Sequence, residues 1–418
     1  MSKLALHGGT PVRDTLIHAP WPEYGAADGR RLLEVLESRA WGGYPEPSPK
    51  TAVFAESFAK YHGADHGVLC VNGSVSLEMA LVALDLEFGD EVIVPSYTWI
   101  ATGACAVHVN AVPVFVDVDP ETYCMDPDAV EAAITPRTRA VIPVHLGASI
   151  ADLDRLTDIC ERHGLALIED CAHGHGGKWR GRGVGSWGDV GSFSFQVSKL
   201  MTCGEGGALI TTSEELAARL HWIVNCGRKE PGYDGFEGTR FGINGRVSEF
   251  QAAVLQGQLE RLDAATQKRE AAMAYMRPRL AEIGGLTPLK RDERVTAQNA
   301  YEWIFKYDPE HFAGVHRDVF LRALEAEGVS CDGDFYVPMH EHELFTAQSR
   351  HWPALRERYG DGFKAPDTQA KLDFPVTSKA AYEEAVWMHY PYLMGTQTDL
   401  DAILEAIAKV KAHAAELV

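Results

Sequence analysis

No stretch of these 418 residues is apolar and long enough to cross a bilayer. The start, Met1-Ser-Lys-Leu-Ala-Leu-His7, lacks the apolar core of a signal peptide. No basic cluster is present either. With a formal net charge of -20, the chain would repel nucleic acid and anionic lipid, which excludes both as partners. Cysteines are few and scattered (Cys70, Cys105, Cys124, Cys160, Cys171, Cys203, Cys226, Cys331), and none forms a C-x-x-C pair. That excludes a zinc ribbon or a disulfide framework and points to reduced thiols in a cytoplasm. Internal repeats and low-complexity segments are absent. What remains is ordinary for a soluble chain, 46% hydrophobic and 23% charged, and long enough to bury a large core in two domains.

Short apolar runs alternate with helical stretches through the first half. The runs Gly67–Val71, Glu91–Pro95, Val112–Asp117, Arg139–Val144 and Leu165–Asp170 are separated by expected helices at Leu77–Leu84, Thr98–Val109, Pro127–Ile134 and Asp152–His163. This alternation predicts an α/β unit whose mainly parallel sheet is covered on both faces. Helices at Ala27–Ser38 and Thr51–Tyr61 precede it. Between them, Trp41-Gly-Gly-Tyr-Pro-Glu-Pro-Ser-Pro49 carries too much proline and glycine for regular structure. A long helix from Ser248 to Met276, with Pro278 as its stop or kink, carries the chain out of this unit. The pattern then becomes α+β: a strand at Tyr301–Tyr307, a helix at Val319–Glu327, a loop-rich stretch from Gly333 to about Ser378, and a final helix. Thr398 and Asp401 suit a capping box for the last helix, whose apolar stripe is Leu400, Ile403, Leu404, Ile407 and Val410. Two domains are expected, 1–260 and 261–418.

Ligands on such sheets gather at the carboxyl ends of strands. The turn Asn72-Gly-Ser-Val-Ser76, the segment Pro95-Ser-Tyr-Thr-Trp99 and Asp170 all fall there. Lys199 follows the strand-like run Val190–Phe195 and precedes a glycine-rich turn, Gly204–Gly207, and a further run, Ala208–Thr211. A charge between apolar strands is costly unless chemistry consumes it, and Schiff-base formation is such a use. An ordinary surface lysine is the alternative. The turn at Asn72–Ser76 can hold an anion on helix N–H groups, or be a plain turn capped by Ser74. Asp170, a lone carboxylate at a buried strand end, calls for a cationic partner. Phosphate could rest on Gly73, Ser74 and Ser194, and Trp99 offers a flat face for a ring. Together these features describe pyridoxal 5'-phosphate (PLP).

Six motifs carry a resemblance over nearly the whole chain: Asn72-Gly-Ser, Val94-Pro-Ser-Tyr-Thr-Trp99, Glu169-Asp-Cys-Ala-His173, Ser192-Phe-Ser-Phe-Gln-Val-Ser-Lys199, Gly204-Glu-Gly-Gly207 and Gly242-Ile-Asn-Gly-Arg246. They resemble those of the DegT/DnrJ/EryC1/StrS aminotransferases. The resemblance implies an aspartate-aminotransferase-like α/β fold (PLP fold type I). Its large domain would hold a mainly parallel seven-stranded sheet, with a smaller α+β C-terminal domain, in a homodimer with shared active sites. It implies Lys199 as the Schiff-base lysine and acid/base catalyst, Asp170 on the pyridinium nitrogen and Trp99 stacked on the ring. Gly73, Ser74 and Ser194 would hold the phosphate, with Asn244 reaching it from the neighbouring subunit. His173 stands where many members carry glutamine and is a candidate catalytic residue, with a plain hydrogen-bonding neighbour as the alternative. Gly147 stands where the common form has tyrosine, a change expected to enlarge or reshape the pocket.

The stretches around Gln196-Val-Ser198 and Ala385-Val-Trp-Met-His-Tyr390 look more like the branch of glutamine:scyllo-inosose aminotransferases and 3-amino-5-hydroxybenzoate synthases. The implied reaction moves an amino group from L-glutamine or L-glutamate to a keto-cyclitol or keto-sugar, in aminocyclitol or aminosugar antibiotic biosynthesis. A dehydrating, aromatising synthase and a nucleotide-sugar aminotransferase are the alternatives. Other motifs are set aside. Gly183-Val-Gly-Ser-Trp-Gly188 matches G-x-G-x-x-G but leads into a strand, so a dinucleotide reading fails. His340-Glu-His-Glu343 and His173-Gly-His175 lack a third ligand at metal-binding spacing, so no metal is expected. The first reads as a polar loop near the active-site mouth. The acidic balance disfavours a DNA-binding regulator.

Overall fold

The computed structural model describes residues 3–17, 19–42, 49–229, 235–238, 240–346, 351–359 and 373–418. Most of the proline-rich patch (43–48) and parts of the loop-rich stretch (347–350 and 360–372) lie outside the described residues. Helices α1 (Ala26–Ser38) and α2 (Pro49–His62) open the chain. Pro49 belongs to the helix after all, because a first-turn N–H has no intrahelical partner to lose.

Nine strands follow: β1 (His66–Cys70), β2 (Glu91–Pro95), β3 (Val112–Val116), β4 (Thr138–Val141), β5 (Ala166–Asp170), the short β6 (Lys178–Trp179) and β7 (Arg182–Gly183), β8 (Val190–Ser194) and β9 (Gly207–Thr211). Seven of them form one sheet in the order β1-β9-β8-β5-β4-β2-β3. Only β9 runs against the rest, pairing antiparallel with β1 and β8. Every residue of β2, β8 and β9 is buried, as continuous apolar strands between helical layers must be. The crossovers are α3 (Gly73–Ala83), α4 (Ala101–His108), α5 (Pro127–Ala133) and α6 (Leu153–His163), and α7 (Glu214–Val224) follows β9. Asn72, not Ser74, caps α3, its Oδ1 accepting from Val75 N–H at 2.9 Å.

The helix α8 (Glu249–Ile283) starts at Ser248 in a capping box with Gln251 and passes straight through Pro278. Pro278 is exposed, as is Ala274, whose carbonyl loses its partner, so water can satisfy that oxygen and the helix does not stop. Residues 260 and 261, the expected domain boundary, fall inside α8. Beyond it, β10 (Leu286–Pro288), β12 (Glu302–Tyr307) and β13 (Ala385–His389) form an antiparallel sheet, while β11 (Val295–Ala297) pairs with β6. Trp303, Phe305, Phe320, Ile403 and Ile407 share one core with Met273 and Met276 of α8. The last helix, Gln397–Ala412, is capped by Thr396 with Asp399, two residues before the expected box. Both Thr-x-x-acid spacings exist in the sequence, and the helix uses the earlier one, Thr396 accepting the Asp399 N–H while Asp399 Oδ2 accepts the Thr396 N–H.

One buried ion pair ties the termini together. Lys409 of the last helix donates to Glu327 Oε2 at 2.7 Å and to the Thr10 carbonyl at 2.7 Å. Glu327 also accepts the Ala5 and Val12 N–H groups, at 2.8 and 3.1 Å. Glu327→Ala would leave an ammonium and two amides without their acceptor. We expect it to destabilise the fold by about 3–5 kcal/mol, read as a lower urea midpoint.

Candidate active site

A cavity of about 500 Å³ opens where the carboxyl ends of β1, β2, β5 and β8 meet the segment before β12. Gly73, Ser74, Trp99, Asp170, His173, Ser194 and Lys199 all line it. Asn244 does not. It is exposed and pairs with Asn225 in an isolated antiparallel bridge away from the cavity.

At one end lies the start of α3. Asn72 occupies the N–H groups of Val75 through its side chain and Ser76 through its carbonyl. Those of Gly73 and Ser74 have no partner among the described residues and sit with the dipole end at the cavity wall. Gly73 is required there: a Cβ would lie 2.6 Å from Ser194 Cβ. A helix N-terminus is thereby pressed against a serine hydroxyl, the arrangement an anion needs.

At the other end Asp170 is buried, with Oδ2 accepting from Thr102 Oγ1 at 2.9 Å and Oδ1 from Ala172 N–H at 3.1 Å. Burial pushes its carboxyl up, opposed by those two bonds and by the Lys199 charge. The Lys199 ammonium lies 4.4 Å from the centre of the Tyr301 ring and makes no ion pair among the described residues. Burial lowers its pKa to about 8, against the pull of Asp170 and Glu302. Lys199 is thus poised to lose its proton near neutrality, as a nucleophilic amine requires.

His173 is fully enclosed. Its ring stacks on Tyr301 at 4.1 Å, its Nδ1 accepts the Gly147 N–H at 3.2 Å and its Nε2 lies 3.4 Å from Tyr336 Oη. Burial, with Lys199 nearby, pushes its pKa well down. A neutral ring that accepts at Nδ1 carries its proton on Nε2, so the hydrogen it presents is fixed. Trp99 stays 59% exposed with its ring tilted towards Tyr336, at the cavity's outer wall.

Two sequence readings need correction. Gly147 does not line the cavity: its φ is +61°, and a Cβ would lie 2.7 Å from the Glu302 carbonyl, so the loss of tyrosine there opens no space. His340 is buried, with Nδ1 2.6 Å from Ser96 Oγ, and does not line the cavity. The glycine-rich loop 183–188 serves Glu169, whose oxygens take the Gly185, Trp187 and Gly188 amides. Sequence reasoning also missed Thr102, Tyr301, Tyr336, Gln196 and Ser198. None belongs to a local pattern except Gln196 and Ser198, which sit within the lysine motif.

A parallel sheet that gathers a lysine, an aspartate and a helix N-terminus in one cavity defines a PLP-fold aminotransferase of type I. A model of the DegT/DnrJ/EryC1/StrS aminotransferase family matches residues 25–359. A Streptomyces kanamyceticus protein, provisionally named L-glutamine:3-amino-2,3-dideoxy-scyllo-inosose aminotransferase, is 51% identical over 417 residues, 99% of this chain and 98% of its own. L-glutamine:2-deoxy-scyllo-inosose aminotransferase of Streptoalloteichus tenebrarius is 40% identical, with 99% of each chain covered. The crystal structure of 3-amino-5-hydroxybenzoic acid synthase superposes with a TM-score of 0.83 at 32% identity, over 96% of this chain and 100% of that one. The chain belongs to the DegT/DnrJ/EryC1/StrS family and is an aminotransferase. Among the described residues, no helix is long and apolar enough to cross a membrane.

The Lys199 environment is testable without any ligand. Labelling of the cofactor-free protein with an amine-reactive reagent, mapped by peptide mass, should rise through a midpoint near pH 8 at Lys199. In Asp170→Asn the midpoint should fall further, because a charge that favours the ammonium is gone.

Proposed function

We propose that this enzyme transfers the amino group of L-glutamine to a keto-cyclitol in aminocyclitol biosynthesis, using PLP held by Lys199. The residues present fit that cofactor. Lys199 supplies an unpaired amine, Asp170 a buried carboxylate, and Gly73, Ser74 and Ser194 an anion cradle too tight for any side chain at Gly73. When bound, PLP supplies a ring that stores the electron pair left on the reacting carbon.

The protein's own groups do the rest. Lys199 would hold the cofactor, and its amine is the group placed to take and return the proton of the reacting carbon. Asp170 would hold a proton on the ring nitrogen, with Thr102 and the Ala172 amide fixing its orientation. His173, kept neutral, adds no positive charge beside Lys199 and offers its Nε2–H. Trp99, at the cavity's outer wall, would cover one face of the cofactor.

The observation that carries the acceptor class is the charge of the cavity wall. Its charged side chains, among the described residues, are Lys199, Asp170 and Glu205. With Lys199 and Asp170 engaged by the cofactor, the charged side chain left on the wall, among the described residues, is Glu205, which would repel a nucleotide diphosphate but not an uncharged or amine-bearing cyclitol. The names of the relatives at 51% and 40% identity support the same class and glutamine as donor. We also infer a homodimer in which Asn244 reaches the phosphate of the neighbouring subunit. Its neighbours Phe241 and Ile243 are apolar and exposed, a surface that a second copy would cover. All eight cysteines are free, which fits a reducing cytoplasm.

Lys199→Ala should lose the visible cofactor band and all transamination of 2-deoxy-scyllo-inosose with glutamine. Asp170→Asn should keep the band while kcat falls about 10²–10⁴-fold. Chains carrying Lys199→Ala and chains carrying Asn244→Ala, each impaired alone, should regain activity when co-expressed, since a mixed dimer holds one intact shared site. Absence of that recovery would place Asn244 outside the partner's site.

A further inference from the structure

Gln196, three residues before Lys199, lines the cavity in a hydrogen-bond chain whose direction can be deduced. Ser198 N–H and Ser198 Oγ both contact Gln196 Oε1, at 2.8 and 2.7 Å. A backbone N–H can only donate, so the atom it meets is the amide oxygen and the flip of the side chain is settled. The single Ser198 hydroxyl hydrogen goes to that oxygen. Ser198 Oγ therefore accepts from Tyr301 Oη, 2.9 Å away. The chain runs Tyr301 to Ser198 to Gln196, and Tyr301 spends its one hydroxyl hydrogen inside the protein. What this network leaves for a ligand is the Gln196 NH₂ group.

We propose that Gln196 is a specificity residue that donates its amide N–H to a ring hydroxyl of the cyclitol acceptor, held in aim by Ser198 and Tyr301. A neutral donor suits a neutral oxygen, whereas a carboxylate or phosphate would draw a cation. The carboxylate that the cofactor leaves on the cavity wall, among the described residues, is Glu205, which favours an uncharged or cationic ring over an anionic one. Anion recognition already has its own donors at Gly73, Ser74 and Ser194. This assignment rests on the functional reading given above.

Two variants test it. Gln196→Glu keeps an oxygen for Ser198, removes the NH₂ donor and adds a negative charge; Gln196→Ala removes donor and acceptor without adding charge. With 2-deoxy-scyllo-inosose as acceptor, both should raise the acceptor KM by about three- to tenfold, the worth of one neutral hydrogen bond. The acceptor KM should move while the glutamine KM and the PLP dissociation constant stay within twofold. An acceptor analogue lacking the recognised hydroxyl should show the same KM for wild type and Gln196→Ala. Unchanged acceptor KM in both variants overturns the proposal alone. So does an effect confined to the PLP dissociation constant, which would make Gln196 a phosphate anchor, or to the glutamine KM. Wild-type turnover of a nucleotide keto-sugar with none of either cyclitol named among the relatives overturns the functional reading, and this one with it.

Discussion

The site stands on a buried carboxylate that is not part of the cavity wall. Glu169, one residue before Asp170, accepts the amides of Gly185, Trp187 and Gly188 at 2.7, 2.7 and 2.9 Å. The His145 ring meets it at 3.1 Å through Nε2, while His145 Nδ1 accepts from Ala151 N–H. Burial alone would raise the Glu169 carboxyl, yet His145 and the loop amides hold it below its usual value. These bonds tie the end of β5 to the loop that leads into β8. Asp170 is thereby held in register beside Ser192, and the chain leaving β8 at Ser194 delivers Lys199 to the same end of the sheet. His145, Glu169 and Cys171 bring ligand-type atoms within 4.8 Å of one another. Glu169 is nevertheless fully engaged, and burial pushes the Cys171 thiol far up, so the group is a structural tie rather than a cation site.

Around that tie, burial sets the charge state of each reactive group. The same enclosure that favours the neutral amine at Lys199 also favours neutral His173, and it works against ionised Asp170. Its two hydrogen bonds and the Lys199 charge oppose that upward push without cancelling it. The Lys199 ammonium and the Asp170 carboxylate each stabilise the other's charged form, and a neutral histidine between strands avoids a competing cation. Perturbed groups in one cavity mark it as the working site; the buried tyrosines Tyr97 and Tyr123, shifted only by burial and neighbouring acids in a packed core, do not.

The strand-and-helix alternation, and with it the parallel sheet, was legible because each strand is a continuous apolar run bounded by helices. Lys199, Asp170, Gly73, Ser74, Ser194 and Trp99 were legible for a related reason: each lies at or just past a strand end, where position in the pattern already says where the side chain will be. Tyr301, Tyr336 and Thr102 were not, because only tertiary packing brings the two tyrosines, from beyond α8, to the cavity and Thr102, from α4, to Asp170. Pro278 and the capping pair Thr398/Asp401 misled for local reasons. An exposed proline costs its helix little when water takes the orphan carbonyl, and two overlapping Thr-x-x-Asp patterns two residues apart look alike in sequence.

Gly147 shows how one backbone position joins the two halves of the site. Its N–H goes to His173 Nδ1 and its carbonyl accepts the Tyr301 N–H at 3.3 Å, so a single peptide segment holds both rings of the stacked pair. The Asn299 side chain adds a bond to the same carbonyl and another to the His173 carbonyl. To do this the residue takes a φ of +61° with the Glu302 carbonyl and Ile304 packed where a Cβ would project. Both demands select glycine. A tyrosine at this place, as in the common family form, could not keep the same backbone against β12. The exchange therefore does not widen the cavity. Glycine here leaves β12 packed directly against residue 147, whose carbonyl holds the Tyr301 amide.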